Sequence, residues 1–221
     1  MFTKAVIFDF DGTLADTIPG IVLAMQSALR IAGLPVADGD AIRKAIGLPL
    51  SETLKVSGVP EDMGEYVGRI YREQFDLKAI GLISVFEGVT EILSQLRRDG
   101  LLLSIASSRH MNSLGKILDA KDLWKYFDAV APANGDYRPK PAPDMALHLI
   151  SRMNVKASGT LVVGDTTFDL EMGRSAGCRT CGVTYGNHGR EKLLSASPDF
   201  IIDDFRELPS VIERLNTVGS E

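Results

Sequence analysis

Short, almost unbroken apolar runs recur along the 221 residues at positions 5–8, 101–106, 161–163, 180–183 and 200–202. Most are separated by stretches with helical spacing, and that alternation predicts a parallel sheet covered on both faces. Gly100, Gly164, Gly177 and Gly186 punctuate the ends of these units. Between about 18 and 84 the texture changes: Ile21, Ala24, Met25, Ala28 and Leu29 keep a helical period, and no clear strand run intervenes. Gly33-Leu34-Pro35, Gly47-Leu48-Pro49 and Gly58-Val59-Pro60 break that region into several helices. Asp16 and Thr17 are candidate caps for the first of them, with Pro19 in its first turn. Leu208, Val211, Ile212 and Leu215 share one face of a closing helix over 205–215. The expected fold is therefore α/β, a Rossmann-like parallel sheet with helices on both faces. Residues 1–16 and 85–221 would form this core, and 17–84 an inserted all-helical domain.

An apolar share of 45% is enough for a substantial core and speaks against wholesale disorder. The net charge of −5 gives no general reason to bind nucleic acid or an anionic membrane. The apolar start is cut by Asp9 and Asp11, so it is neither a signal-peptide core nor a membrane span, and a cytoplasmic location is expected. Cys178 and Cys181 have C-x-x-C spacing but no supporting ligands. They run into a strand rather than opening a helix after one, so they read as small apolar fillers in a reducing compartment.

The candidate chemistry begins where the first run enters Asp9-Phe10-Asp11-Gly12-Thr13. Strand alternation points Asp9 and Asp11 the same way, at the carboxyl end of a sheet, where α/β proteins bind ligands. Gly12 permits a tight turn and close approach of an anion to the backbone. Adjacent carboxylates repel, which raises a pKa or calls in a divalent cation. Asp165 and Asp169, after the run 161–163 and Gly164, could complete a hard-oxygen site for Mg²⁺. Ser107-Ser108-Arg109 follows another run and offers hydroxyls and N–H groups beside a helix start. Lys140 stands between Pro139 and Pro141, which predicts stiff, extended flanking backbone. His110, His148 and His188 have no metal-ligand spacing and are assigned no catalysis.

In these motifs the chain resembles the haloacid dehalogenase-like hydrolases, and specifically their phosphoglycolate phosphatase-like branch, which carries a helical cap after the first motif. D-x-D-G-T is present as Asp9 to Thr13, the motif Ser as Ser107, the Lys of K-P-x-P as Lys140, and G-D-x-x-x-D as Gly164, Asp165 and Asp169. The resemblance implies Asp9 as nucleophile, Asp11 as general acid and base, and Ser107 and Lys140 as holders of the phosphoryl group. It also implies Mg²⁺ held by Asp9, the Asp11 carbonyl and Asp165, with Asp169 and Thr13 in support.

Asp11 favours a phosphatase over a dehalogenase, because an alkoxide leaving group needs a proton and a halide does not. Thr13 modestly favours hydrolysis over β-phosphoglucomutase-like isomerisation, since mutases of that kind commonly carry Val there. A non-catalytic phosphate-binding module is the remaining alternative. Gly12, Ser108, Arg109, Arg43 and Gly47 are candidate substrate contacts, with Arg109 suited to a carboxylate or second phosphate. Gly47-Leu48-Pro49-Leu50 resembles a turn of pyrophosphatase-like relatives, whereas the overall motif texture looks like phosphoglycolate phosphatases. The expected partner is a small phosphorylated metabolite, phosphoglycolate-like first and pyrophosphate or nucleoside monophosphates next, acted on by a monomer or homodimer.

Overall fold

The structure is a computed structural model that describes residues 2–218. The apolar run Ala5–Phe8 forms strand β1, buried throughout, and pairs in parallel with β4 (Leu102–Ala106) and β6 (Thr160–Gly164). With β5 (Ala129–Ala131), β7 (Arg179–Val183) and β8 (Phe200–Ile202) the sheet runs β5-β4-β1-β6-β7-β8, every pairing parallel. β1 has buried neighbours on both edges and both faces, which is why it is uniformly apolar. Alternate residues feed different layers. Val6 and Phe8 face α5 (Val89–Arg98), α6 (Met111–Ala120) and α10 (Leu208–Val218), through Leu93, Leu114 and Leu208 among others. Ile7 packs on the other face against α7 (Asp144–Met153) and α8 (Thr167–Ser175) through Leu149 and Met172. Burying a side chain the size of Phe8 or Ile7 contributes about 1.5–3 kcal/mol each.

β2 (Ala15–Asp16) and β3 (Ser84–Val85) form a two-stranded antiparallel ribbon, and every element assigned between them is helical. They are α1 (Ile18–Ile31), α2 (Gly39–Lys44), α3 (Leu50–Val56) and α4 (Gly64–Gln74), short 3₁₀ turns, and a π-helical turn Phe75–Ala79. The three Gly-x-Pro breaks fall between these helices, as expected. Capping differs from expectation at one residue. Asp16 Oδ1 accepts from the Ile18 N–H at 3.2 Å, whereas the buried Thr17 hydroxyl has no partner. Among the described helices none is long and apolar enough to cross a membrane.

Candidate active site

The strand order reverses between β1 and β6, and the chain leaves these neighbours as Asp9 and Asp165 at their carboxyl ends. Open α/β sheets bind ligands at such a switch point. The Asp9 N–H donates to the Val163 carbonyl at 2.9 Å, which fixes the two strand ends in register. Gly12 then turns the chain with φ +82°, and a Cβ there would lie 2.2 Å from Asp165 Oδ2. Only glycine fits both the backbone and the approach. Thr13 Oγ1 donates to Asp165 Oδ1 at 3.1 Å, so the first motif holds the fourth.

Lys140 reaches the same place from the segment before α7. Its Nζ lies 2.7 Å from Asp9 Oδ1 and 2.5 Å from Asp169 Oδ1. The backbone here is a turn, with the Ala142 N–H donating to the Pro139 carbonyl, rather than the expected extended run. Proline's fixed φ suits turn positions as well as extended ones. Asp169 sits in the first turn of α8, where its Oδ2 accepts from the N–H and hydroxyl of Thr166 at 3.0 and 2.6 Å. It therefore caps its helix and anchors Lys140 at once, with both carboxylate oxygens engaged.

Asp9, Asp165 and Asp169 are all buried, and each has an oxygen within 4.8 Å of the others. Burial pushes the Asp9 pKa well above the ordinary carboxylate range; Lys140 draws it back, while Asp169, Asp165 and Asp11 push it further up. Burial and then Asp169 raise Asp165 to about 7, against hydrogen bonds from Asn187 and Thr13. Burial disfavours the Lys140 charge, yet Asp169 and Asp9 outweigh it and hold the ammonium protonated. One ammonium facing three buried carboxylates leaves negative charge uncompensated. Such an all-oxygen cluster fits a hard divalent cation. The Asn187 side-chain oxygen, buried without a partner beside Asp165, is a further acceptor that a hydrated cation would satisfy.

A cavity of about 300 Å³ opens over these groups, lined by Asp9, Asp11 and Lys140 from the sheet edge and by Gly47, Tyr71 and Phe75 from the helical segment. Asp9 Oδ2 accepts no hydrogen bond among the described residues, and Asp9 faces this cavity. Ser107 is buried and does not itself line this cavity; its hydroxyl accepts from the Arg109 N–H at 3.1 Å. The Ser108 hydroxyl donates to the Gly47 carbonyl at 3.1 Å, tying the sheet edge to the helices. Arg109 is buried rather than on the surface; it pairs with Asp11 at 2.6 Å, and Asp11 together with further anions keeps its charge despite burial. Arg43 is exposed on α2 and does not line the cavity; Gly47, Ser108 and Arg109 do line it, and Gly12 lies outside the lining, packed against Asp165.

Two groups of contributors escape sequence reasoning. The N–H and side-chain amide of Asn187 both donate to Asp165 Oδ2 at 2.7 Å. Its place beyond the carboxyl end of β7, beside Gly186, is the signal that could have found it. Tyr71 and Phe75 stand one helical turn apart and both face the cavity, a spacing visible in the sequence but not distinctive there. His110 and His148 are exposed. His188 is buried, its Nδ1 accepting from the Thr167 N–H, and burial followed by Lys192 lowers its pKa to about 4, so the ring is a neutral structural acceptor. Cys178 and Cys181 are free and buried, and burial pushes both thiols up to about 12.

The family model for haloacid dehalogenase-like hydrolase matches residues 6–183. The chain is 40% identical to the probable phosphatase IndB of Dickeya dadantii, over 97% of this chain and 96% of that one. It is 31% identical to the phosphoglycolate phosphatase of Salmonella typhi, over 93% and 90% of the two chains. Among solved structures, a predicted phosphoglycolate phosphatase from Haemophilus somnus superposes with a TM-score of 0.86 at 25% identity, covering 95% of this chain and 97% of that one.

Proposed function

The chain belongs to the haloacid dehalogenase-like hydrolase family, as a phosphatase of its phosphoglycolate phosphatase-like branch, and on that premise we propose that it hydrolyses a small phosphomonoester through a covalent phosphate on Asp9. The observation that carries this reading is the convergence of Asp9, Lys140, Asp165 and Asp169 from three distant stretches of chain at one sheet edge. Asp9, the Asp11 carbonyl and Asp165 would hold Mg²⁺. Asp169 anchors Lys140 through Oδ1 and caps its own helix through Oδ2. The cation, when bound, offsets negative charge on the carboxylates and on the phosphoryl oxygens.

Asp9 Oδ2, open to the cavity, attacks phosphorus, and Lys140 with the Ser107 hydroxyl holds the phosphoryl oxygens. Asp11 gives a proton to the departing alkoxide and then takes one from the water that hydrolyses the acyl phosphate. The helices over 17–84 act as a cap on the core formed by 1–16 and 85–221, excluding bulk water while Asp9 carries phosphate. Phosphoglycolate-like metabolites lead the substrate candidates, and the reading places the enzyme in the cytoplasm as a monomer or homodimer. The test is phosphate release from phosphoglycolate with Mg²⁺ or chelator, for wild type and Asp9→Asn. Release that needs Mg²⁺ and is lost in Asp9→Asn is expected; an active Asp9→Asn would overturn the reading.

A further inference from the structure

We propose that Tyr71 and Arg109 form a specificity subsite for a carboxylate on the leaving-group half of the substrate; the inference rests on the phosphatase reading above. Arg109 is 9% exposed, lines the cavity, and lies with its guanidinium 4.3 Å from the centre of the Phe75 ring. Its Nε and Nη2 donate to the two oxygens of Asp11 at 3.2 and 2.6 Å, and its Nη1 donates to Ser113 Oγ at 3.1 Å. A guanidinium carries five N–H groups. Five less these three bonds leaves two, for the neighbouring Tyr71 oxygen and for a ligand.

Tyr71 comes from α4 and is also buried against the cavity. Burial raises its pKa to about 12 although Arg109 draws it down, so the phenol keeps its proton and is a donor. The remaining guanidinium N–H and the phenol O–H beside it would offer one donor to each oxygen of a carboxylate. Asp9 lines the same cavity as Arg109 and Tyr71, so the subsite and the nucleophile face one chamber. Because Arg109 follows β4 and Tyr71 sits on α4, the subsite exists only where the helical segment is seated on the sheet edge. The Ser108 to Gly47 hydrogen bond and the Lys116 to Asp76 ion pair close the same seam. Specificity and closure thus use one set of contacts.

The competing role for Arg109 is to position Asp11 alone, and the two roles separate by substrate. Measure kcat/KM with Mg²⁺ for phosphoglycolate and for hydroxyethyl phosphate, its neutral counterpart, in wild type, Tyr71→Phe, Arg109→Lys and Asp9→Asn. Hydrogen bonds to a charged group imply a roughly 10- to 150-fold preference of wild type for the carboxylate substrate. Tyr71→Phe should cut that ratio about tenfold and Arg109→Lys by at least as much, mainly through KM for phosphoglycolate. A wild-type ratio near one, failure to turn over phosphoglycolate, or proportional losses on both substrates in both variants overturns the subsite. If wild type still releases phosphate from hydroxyethyl phosphate and Asp9→Asn does not, the phosphatase reading survives alone; an active Asp9→Asn overturns both.

Discussion

Lys140 Nζ stands 2.7 Å from Asp9 Oδ1 although the two residues are 131 positions apart in the chain. Lys140→Met keeps much of the side-chain length and removes the charge, leaving Asp9 and Asp169 buried without their shared cation. Losing one such donor to the reacting phosphoryl group should lower kcat by roughly 10²–10³. Steady-state phosphate release measures this, and a change of only about threefold would remove Lys140 from the machinery.

Stability without metal should carry the signature of Asp165. Its carboxyl titrates at about 7 in the folded chain against 3.8 as the ordinary value, so the native state holds a proton that the unfolded state has lost across that window. Unfolding free energy therefore falls as pH rises from about 4 to about 7, and Asp9 adds to the fall with the same sign. In chelator, Asp165→Asn should melt higher than wild type at about pH 8, and the gap should close toward about pH 4. Added Mg²⁺ should raise the wild-type melting temperature and leave that of Asp165→Asn much less changed. An Asp165→Asn protein that melts below wild type at the higher pH would contradict the account.

Gly12→Ala tests the approach of the first motif to Asp165. A left-handed backbone at a residue with a Cβ costs about 1–2 kcal/mol, and this Cβ would stand 2.2 Å from Asp165 Oδ2. The expected result is a melting temperature lower by roughly 2–8 °C and a weakened response to Mg²⁺. A variant with unchanged melting and Mg²⁺ response would show that the turn tolerates the side chain.

How much was legible in the sequence depended on whether burial or pairing makes the element. β1, β4, β6, β7 and β8 lie inside the sheet or beside its core, so they are mostly apolar, interrupted only by residues such as Ser104, Thr160 and Thr180, and can be read directly. β5 is three small residues stopped by Pro132, and β2 and β3 are two residues each. Nothing in their composition marks them, because pairing alone makes them strands. The site follows the same division. Asp9, Asp165 and Ser107 each sit at the end of a readable run, so their meeting was foreseeable. Tyr71, Asn187 and the burial of Arg109 arise from packing between distant segments, which local pattern does not carry. Arg43 was drawn in by its nearness to Gly47 in the chain, yet it lies on α2 in solvent, next to Ile42, which is that helix's buried residue.

The two thiols, Cys181 in β7 and Cys178 just before it, offer a check on the burial of this segment. With both raised to about 12 by burial, neither Cys178 nor Cys181 presents thiolate at neutral pH. Iodoacetamide should modify neither in the folded protein and both after denaturation, as read by intact mass. Rapid alkylation of the native chain would place β7 nearer the surface than it stands here.

The central claim is that Asp9 carries the phosphoryl group, and the most direct measurement is a single turnover with radiolabelled substrate and Mg²⁺, quenched in acid and mapped by peptide. Label bound transiently to the peptide containing Asp9 in wild type, and absent from Asp9→Asn, is the predicted result. Substrate consumed with no protein-bound label at any time, or label on a peptide without Asp9, would contradict it.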